Sequence, residues 1–263
     1  MSEIALTIAG SDSGGGAGVQ ADLRTFAFHK VHGASAITCI TAQNTTGVTA
    51  VAGISPDLVK AQLSAVFEDM SVNAVKTGML LNRGIIEAVA EFLRDRDKIS
   101  LVVDPVMVSR AGVQLIDDEA VDSLKKKLLP QATIVTPNLY EAQILSDRKI
   151  ESLEDMKQAA ITIRELSGSV VLIKGGGMAD REYSVDVWFD GGSWEILSEK
   201  RIDTKNTHGT GCTLAAAIAA NLALDKDLLT AVKEAKQYVT EALHHSLDIG
   251  KGNGPVGHFF PLL

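Results

Sequence analysis

Residues 206–213 have the sequence Asn-Thr-His-Gly-Thr-Gly-Cys-Thr and run directly into an alanine-rich stretch, Leu214–Ala220. The glycines at 209 and 211 allow backbone amides to converge where a helix begins. Converging amides and the helix dipole favour an anion, or the charge that develops on a transferred phosphoryl group. Cys212 falls in the first helical turn, where the pKa of a thiol is expected to be lowered. The alternative role for Cys212 is that of a small buried residue that helps the helix pack.

Upstream of this segment, short apolar runs rich in β-branched residues alternate with longer amphipathic stretches. The runs that predict strands are Ile4–Ala9, Ala34–Thr41, Val72–Lys76, Leu101–Asp104, Thr133–Thr136 and Val170–Ile173. The stretches that predict helices are Val19–Phe28, Pro56–Asp69, Arg83–Arg96, Asp117–Leu128, Asn138–Leu145 and Leu153–Leu166. This alternation predicts an α/β fold of three layers, in which a mainly parallel central sheet is flanked by helices.

The C-terminal third of the sequence continues with different elements. Tyr183–Phe189 and Ser193–Ile202 are joined through Asp-Gly-Gly and predict a small hairpin at the sheet edge. Two helices are predicted at Gly211–Leu222 and Leu228–Leu247, before a tail rich in glycine and proline. Because no repeat or linker divides the chain, residues 1–263 are expected to form a single domain.

Composition restricts the class of partner. The 263 residues carry a formal net charge of −8 with no basic cluster, which argues against nucleic acid or an anionic membrane as a partner. The two cysteines form no metal-binding or disulfide pattern. No signal-peptide pattern is found, and the longest apolar run is too short to span a bilayer. A cytoplasmic protein is therefore expected.

Polar or glycine-rich residues follow almost every predicted parallel strand. Ligands of open α/β sheets bind beyond the carboxyl ends of the strands. The segment 10–16, Gly-Ser-Asp-Ser-Gly-Gly-Gly, satisfies neither the dinucleotide-binding pattern nor the P-loop pattern. It is either a turn that lets a helix pack closely or a backbone lining for a small ligand. The other segments are Gln43-Asn44, Thr77-Gly78-Met79, Asp104, Thr136-Pro137-Asn138 and Lys174-Gly175-Gly176-Gly177.

The residues at these strand ends allow two interpretations each. Asn138 and Glu141 fit a helix N-cap with a capping-box glutamate, and on local grounds that interpretation is favoured. Gln43 carries an amide donor and an amide acceptor suited to a polar ligand, but it also fits a surface turn. Lys174 lies between an isoleucine and a glycine run, a position unusual for a solvated surface lysine.

The chain resembles the hydroxymethylpyrimidine and phosphomethylpyrimidine kinases of thiamine biosynthesis, within the ribokinase-like superfamily. The similarity extends in family order over nearly the whole sequence. Many members of the superfamily carry an acidic base where this chain has Cys212, and the cysteine is typical of the pyrimidine kinase branch. The matching stretches are AGSDSGGGAGVQADL (9–23), TAQNTTGV (41–48), KTGML (76–80), VVDPVM (102–107), TPNLYEA (136–142), IKGG (173–176) and HGTGCT (208–213).

The resemblance implies that ATP phosphorylates 4-amino-5-hydroxymethyl-2-methylpyrimidine and then its monophosphate, with Mg²⁺ as cofactor. It also implies a homodimer. The implied catalytic residues are Cys212, Gly209 and Gly211. The implied substrate-binding residues are Gln43, Asp22, Ala17, Met79 and Val106. The implied ATP-binding residues are Lys174, Asn138 and Thr210, and the implied magnesium-binding residues are Glu141 and Asp104.

Two rival functions remain open at the level of sequence. A pyridoxal kinase is the nearest, because the two families overlap and some members act on both rings. A catalytically silent pyrimidine-binding protein is the second. The intact set of Lys174, Asn138, Glu141 and the Gly-Thr-Gly turn argues against a silent protein, because a sensor needs no apparatus for the γ-phosphate.

Overall fold

The computed structural model describes residues 2–96, 98–107, 116–178 and 182–263. Within them, nine strands form one sheet in the order β3-β2-β1-β4-β5-β6-β7-β8-β9. The strands are β1 (Ile4–Asp12), β2 (His32–Asn44), β3 (Gly47–Gly53), β4 (Ala74–Thr77), β5 (Ser100–Val103), β6 (Ile134–Val135), β7 (Val170–Lys174), β8 (Tyr183–Phe189) and β9 (Trp194–Lys200).

Six neighbouring strands pair in parallel, in the spatial order β2, β1, β4, β5, β6 and β7. The outer strands β3, β8 and β9 pair antiparallel. The predicted mainly parallel sheet and its edge hairpin are therefore confirmed. The strand β3 was not predicted from sequence. All seven of its residues are exposed, so it lacks the buried apolar run on which strand prediction depends.

Eight α-helices of the described residues cover the sheet. They are α1 (Gly18–Phe28), α2 (Pro56–Asp69), α3 (Arg83–Leu93), α4 (Asp118–Ser123), α5 (Leu139–Ser146), α6 (Leu153–Ser167), α7 (Thr210–Ala223) and α8 (Leu228–His244). The predicted helix Asp117–Leu128 is instead α4 followed by a π-helical turn, Leu124–Leu128, and a short 3₁₀ segment, Leu129–Gln131. None of these helices combines the length and apolar character needed to cross a bilayer.

Two hydrophobic cores lie on opposite faces of the sheet and give the predicted three layers. One core packs α2 to α6 against one face, with residues such as Leu63, Ile86 and Ile163 fully or almost fully buried. The other packs α1, α7 and α8 against the opposite face, with Phe26 and Val232 inaccessible to solvent. Strands covered on both faces bury most of their side chains, which explains their mainly apolar, β-branched runs.

Helix α7 lies at the centre of the second core. Residues 215–220, five alanines and one isoleucine, are all inaccessible to solvent. Side chains of this size allow α1 and α8 to pack closely on both sides of α7, and dispersion contacts increase with close packing. The alanine-rich sequence thus fixes the N-terminus of α7 against the carboxyl ends of the parallel strands.

One edge of the sheet is exposed and apolar. The outer strand β3 presents Val48 and Val51 to solvent, and Ile40 on the neighbouring β2 is also about half exposed. An exposed edge strand offers unpaired backbone groups to another chain. The homodimer implied by the family resemblance stays a prediction, and this edge is the surface of the described residues that best suits it.

Candidate active site

The glycine-rich loop after β1 is organised around Asp12. Its carboxylate accepts hydrogen bonds from the amides of Gly14, Gly16 and Ala17, at 2.8, 3.0 and 2.8 Å. It also lies 2.8 Å from Nε2 of His208. Burial raises the pKa of Asp12, but the hydrogen bonds from His208 and Ala17 outweigh that effect, so the pKa is lowered. Asp12 is therefore an ionised acceptor that holds the loop in one conformation.

The N-terminus of α7 packs directly against this loop. Gly209 is the N-cap of α7 and has φ of 85°, in the left-handed region that favours glycine. A Cβ at Gly209 would lie 1.9 Å from the carbonyl oxygen of Gly16, so a side chain is excluded here. The first amides of a helix have no intrahelical acceptor. The amide of Thr210 donates to the carbonyl oxygen of Thr207 at 3.4 Å, and those of Gly211 and Cys212 lie in the first turn of α7, where the sequence predicted an anion-binding turn.

Lys174 lies at this same turn. A Cβ at Gly211 would be 3.4 Å from the Lys174 Nζ atom. The ammonium donates to Oδ1 of Asp104 at 2.7 Å, and Thr136 contacts the same oxygen at 3.4 Å. Burial alone would lower the pKa of Lys174, but the charges of Asp104 and Glu141 raise it overall. Lys174 is thus a fixed cation beside the converging amides.

Glu141 forms the capping box that its spacing predicted. The Asn138 side chain accepts from the Glu141 amide at 2.9 Å, and Glu141 accepts from the Asn138 amide at 2.8 Å. The Glu141 side chain is nevertheless buried. Burial raises its pKa to about 7, with Lys174 lowering it and Asp104 raising it further. A buried capping glutamate that interacts with two charged groups is more than a helix cap, because capping alone requires no burial.

The two candidate metal ligands suit magnesium in type and number. Asp104 and Glu141 are both buried, and the charge of Asp104 raises the pKa of Glu141, so the two carboxyl groups repel each other when ionised. A divalent cation would relieve that repulsion. Among the described residues no group of three or more histidine, cysteine or acidic side chains could hold a metal. Mg²⁺ retains several waters and needs only one or two carboxylates, so this donor set fits it.

Asp22 is held in a buried ion pair that the sequence did not reveal. Its Oδ2 atom accepts from Nζ of Lys76 at 2.8 Å and from Oγ1 of Thr7 at 2.6 Å, and neither charged side chain is accessible. Its Oδ1 atom has no hydrogen-bond partner among the described residues. Burial raises the pKa of Asp22 despite the charge of Lys76. An unsatisfied buried carboxylate oxygen is costly, which is consistent with the predicted contact to substrate.

The predicted lowering of the Cys212 pKa is wrong. Burial raises the pKa of its thiol to about 11, and the charges of Asp22 and Asp104 act in the same direction. The ammonium of Lys76 and the amide of Gly18, which donates to the sulfur, lower the pKa but do not compensate. The helix N-terminus is a local effect, and the surrounding desolvation outweighs it.

The remaining predicted substrate-binding residues are half-buried at neighbouring positions of the sheet edge. Gln43 ends β2, with its side chain 3.2 Å from Thr41 Oγ1 and 3.4 Å from His208 Nε2. Ala17 is the N-cap of α1, Met79 follows β4 and Val106 follows β5. Since β2, β1, β4 and β5 are adjacent, these residues follow adjacent strands at one edge of the sheet.

Three residues of the site were not predicted from the sequence: Asp12, Lys76 and His208. A lysine inside a strand of a parallel sheet is rarely buried without a partner, so Lys76 was a signal that could have been used. Asp12 and His208 are 196 positions apart, and only the folded chain shows that they pair.

A three-layer α/β fold, with a lysine and a Gly-Thr-Gly turn at one helix N-terminus, defines a ribokinase-like small-molecule kinase. The model of a family described as phosphomethylpyrimidine kinase matches residues 12–257. A hydroxymethylpyrimidine/phosphomethylpyrimidine kinase of Synechococcus elongatus is 58% identical over 259 residues, which cover 98% of each chain. The chain therefore belongs to the phosphomethylpyrimidine kinase family.

Solved structures show the same fold. The ADP complex of Bacillus subtilis pyridoxal kinase has a TM-score of 0.94 and 39% identity, and the match covers 100% of both chains. A phosphomethylpyrimidine kinase of Clostridium difficile has a TM-score of 0.82 and 42% identity, covering 92% of this chain and 99% of that one. Both activities therefore occur on closely similar folds.

The close contact at Gly209 predicts the result of one pair of substitutions. Gly168 also has a positive φ, but no atom lies within 4 Å of a Cβ built there. Gly168→Ala should lower the free energy of unfolding by about 1–2 kcal/mol, because alanine is strained in the left-handed conformation. Gly209→Ala should cost about 2–5 kcal/mol, because an overpacking clash adds to the backbone strain. Urea unfolding of both variants measures the difference, and equal costs would contradict the contact with Gly16.

Proposed function

We propose that this protein transfers the γ-phosphoryl group of ATP to the hydroxymethyl group of 4-amino-5-hydroxymethyl-2-methylpyrimidine, and then phosphorylates the monophosphate to the diphosphate. The observation that carries the proposal is the position of Lys174 against the first turn of α7. Lys174 supplies a fixed cation and the first turn of α7 supplies converging amides. Cys212 belongs to the same turn. The family and the half-buried amide of Gln43 support the pyrimidine as acceptor.

Charge stabilisation is the main task of a phosphoryl-transfer enzyme. The amides of residues 209–212 point to where negative charge develops, and a preorganised donor costs no reorganisation during reaction. Lys174, fixed by Asp104, binds phosphate oxygens as a point charge. Asn138, which forms an isolated β-bridge with Lys174, and Thr210, the first residue of α7, complete the proposed ATP contacts.

Asp104 and Glu141 are the residues proposed to hold magnesium. The ion, when bound, would neutralise part of the negative charge of the phosphate groups. The capping box fixes the carboxylate of Glu141, and Lys174 holds that of Asp104. A cation in this position would also favour the ionised form of Glu141, whose pKa of about 7 leaves it partly protonated at neutral pH.

The pyrimidine is proposed to lie at the ends of β2, β4 and β5. Gln43 would bind the amino group and ring nitrogen, and Met79, Val106 and Ala17 would line the ring. Asp22, whose Oδ1 atom is unsatisfied, would accept a hydrogen bond from the substrate. An orphaned acceptor gains a partner only when that ligand binds.

Cys212 is proposed to orient the attacking hydroxyl oxygen. A thiol with a pKa of about 11 retains its proton at neutral pH and is a poor base. A loose transition state needs little base assistance, because the hydroxyl loses its proton only as the new bond to phosphorus nears completion. The sequence leaves open whether Cys212 accepts the hydroxyl proton or orients the attacking oxygen, and the raised pKa of the thiol supports the second role.

A direct assay tests the function. The purified protein with Mg²⁺ and ATP is supplied with the hydroxymethylpyrimidine, with its monophosphate or with pyridoxal, and products are identified by mass spectrometry. We expect pyrimidine mono- and diphosphate, with a higher kcat/KM for the pyrimidine than for pyridoxal. Phosphate on pyridoxal alone would establish the rival kinase, which the likeness to the B. subtilis enzyme makes the main alternative. Binding without transfer would establish a silent protein.

Glu141→Gln tests the magnesium site. The amide oxygen of glutamine can still accept from Asn138, so the helix cap should persist. Loss of the charge should raise the magnesium concentration needed for half-maximal rate by roughly ten- to a hundredfold, as loss of one charged interaction of about 1.5–3 kcal/mol implies. The matched control is Asp155→Asn, which alters the capping box of α6. An unchanged magnesium requirement in both variants would limit Glu141 to capping.

Cys212→Ala tests the orienting role. We expect kcat to fall about tenfold, with KM for both substrates nearly unchanged, because one modest hydrogen bond is lost. Wild-type kcat should not rise tenfold per pH unit between about pH 7 and 9, as it would if a thiolate with a pKa of about 11 were the base. Two results together would contradict this role: a rise of that size in wild-type kcat that is absent in the alanine variant, and a fall in kcat above a hundredfold in that variant. They would establish Cys212 as a general base.

A further inference from the structure

The imidazole of His208 lies between two side chains from the first part of the chain. Its Nε2 atom is 2.8 Å from Oδ2 of Asp12 and 3.4 Å from the side-chain amide of Gln43. The backbone of His208 is fixed as well. Its amide donates to Gly254 at 3.1 Å, and its carbonyl oxygen accepts from Val256 at 3.2 Å. The position of the ring is therefore fixed by the backbone of His208 and by the contact at Nε2.

The proton on the ring can be located from its partners. Asp12 is an ionised carboxylate that already accepts three backbone amides, and a carboxylate can only accept. A contact of 2.8 Å between Asp12 and an unprotonated ring nitrogen would place two lone pairs together. His208 Nε2 must therefore carry a hydrogen, which it donates to Asp12, so this nitrogen has no lone pair to offer the NH₂ group of Gln43.

This donor determines how the amide of Gln43 is oriented. Two nitrogen donors, Nε2 of His208 and Nε2 of Gln43, cannot bond to each other. At the other end of the amide, Thr41 has one hydroxyl proton, which it donates to the carbonyl oxygen of Ser11 at 2.7 Å. Exchanging the amide oxygen and nitrogen of Gln43 satisfies both contacts. The oxygen then shares the His208 hydrogen in a second, longer contact at 3.4 Å, and the NH₂ group donates to Thr41.

We infer that His208, held by Asp12, is a positioning residue that fixes the amide orientation of Gln43 and thereby the preference of the site for an aminopyrimidine ring. The inference rests on the proposed function, in which Gln43 contacts the substrate ring. His208 itself contacts no reacting atom in this account.

The chemistry of the two candidate rings explains why orientation matters. An aminopyrimidine carries a donor, its amino group, next to an acceptor, its ring nitrogen. A fixed amide offers its acceptor and its donor in one order, so it can bind this pair at both ends at once. The hydroxypyridine ring of pyridoxal has no amino group beside a ring nitrogen. A freely turning amide should therefore discriminate less between the rings, since specificity comes from groups that a wrong partner leaves unpaired.

If His208 had a purely structural role, its substitution would change different kinetic constants. The residue precedes Gly209, so a disturbance of the backbone would alter the anion-binding turn of α7. That disturbance would lower kcat and weaken ATP binding. Loss of positioning should instead change KM for the pyrimidine and the selectivity between rings, and only while Gln43 is present.

A double-mutant cycle tests the inference, with kcat and KM measured for pyrimidine, pyridoxal and ATP. His208→Ala should raise KM for the pyrimidine roughly tenfold, as the loss of one buried hydrogen-bond network of this size implies, and should lower the preference for pyrimidine over pyridoxal. kcat and KM for ATP should change by less than about threefold. In the Gln43→Leu background, the same substitution should have almost no further effect, because the two residues act as a unit.

Two further variants serve as controls. His208→Gln retains a donor at the place of Nε2 and should restore most of the wild-type KM. His32→Ala removes an exposed histidine at the start of β2 and should change nothing. Equal effects of His208→Ala with and without Gln43, in an enzyme that phosphorylates the pyrimidine, would overturn this inference alone. A wild-type protein that phosphorylates no pyrimidine would overturn the proposed function and this inference together.

Discussion

The contact between the loop after β1 and the N-terminus of α7 is the constraint on which the site depends. The carbonyl oxygen of Gly16 approaches Gly209 so closely that no side chain fits at position 209. On one side of this contact, Asp12 holds the loop through three backbone amides. On the other side, the buried alanines of α7 hold the helix against the sheet. Because the loop and the helix are each held in this way, the amides of Gly211 and Cys212 and the thiol of Cys212 are preorganised.

Around this contact the protein concentrates buried charge. The ammonium groups of Lys76 and Lys174 are paired with Asp22 and Asp104, and Glu141 interacts with the second pair. Buried ion pairs contribute little net stability, because desolvation offsets much of their attraction. Their arrangement is better explained by a ligand that carries several negative charges together with a divalent cation. Burial, together with the charge of Asp104, raises the pKa of Glu141 to about 7, and the charge of Lys174 only partly offsets this rise.

The sequence predicts well those parts of the fold that depend on local pattern. Apolar strands and amphipathic helices were found because burial dictates their composition, whereas β3 was missed because it is exposed on both faces. Within the site, the capping box at Asn138 was recognised from spacing alone. The pKa of Cys212 was predicted in the wrong direction, because the helix dipole is visible in the sequence and the burial of the thiol is not. The pair of Asp12 and His208 joins the two ends of the chain and needed the structure to be seen.

The central claim is that backbone amides at the start of α7, together with Lys174, stabilise the charge of the transferred phosphoryl group. A crystal structure of the protein with the hydroxymethylpyrimidine, magnesium, ADP and aluminium fluoride tests it most directly, since the fluoride group occupies the place of that phosphoryl group. The account predicts fluorine atoms at about 2.7–3.2 Å from the backbone nitrogens of residues 209–212 and from Nζ of Lys174, the range of ordinary hydrogen bonds. A fluoride group bound by other side chains, away from these amides, would contradict it.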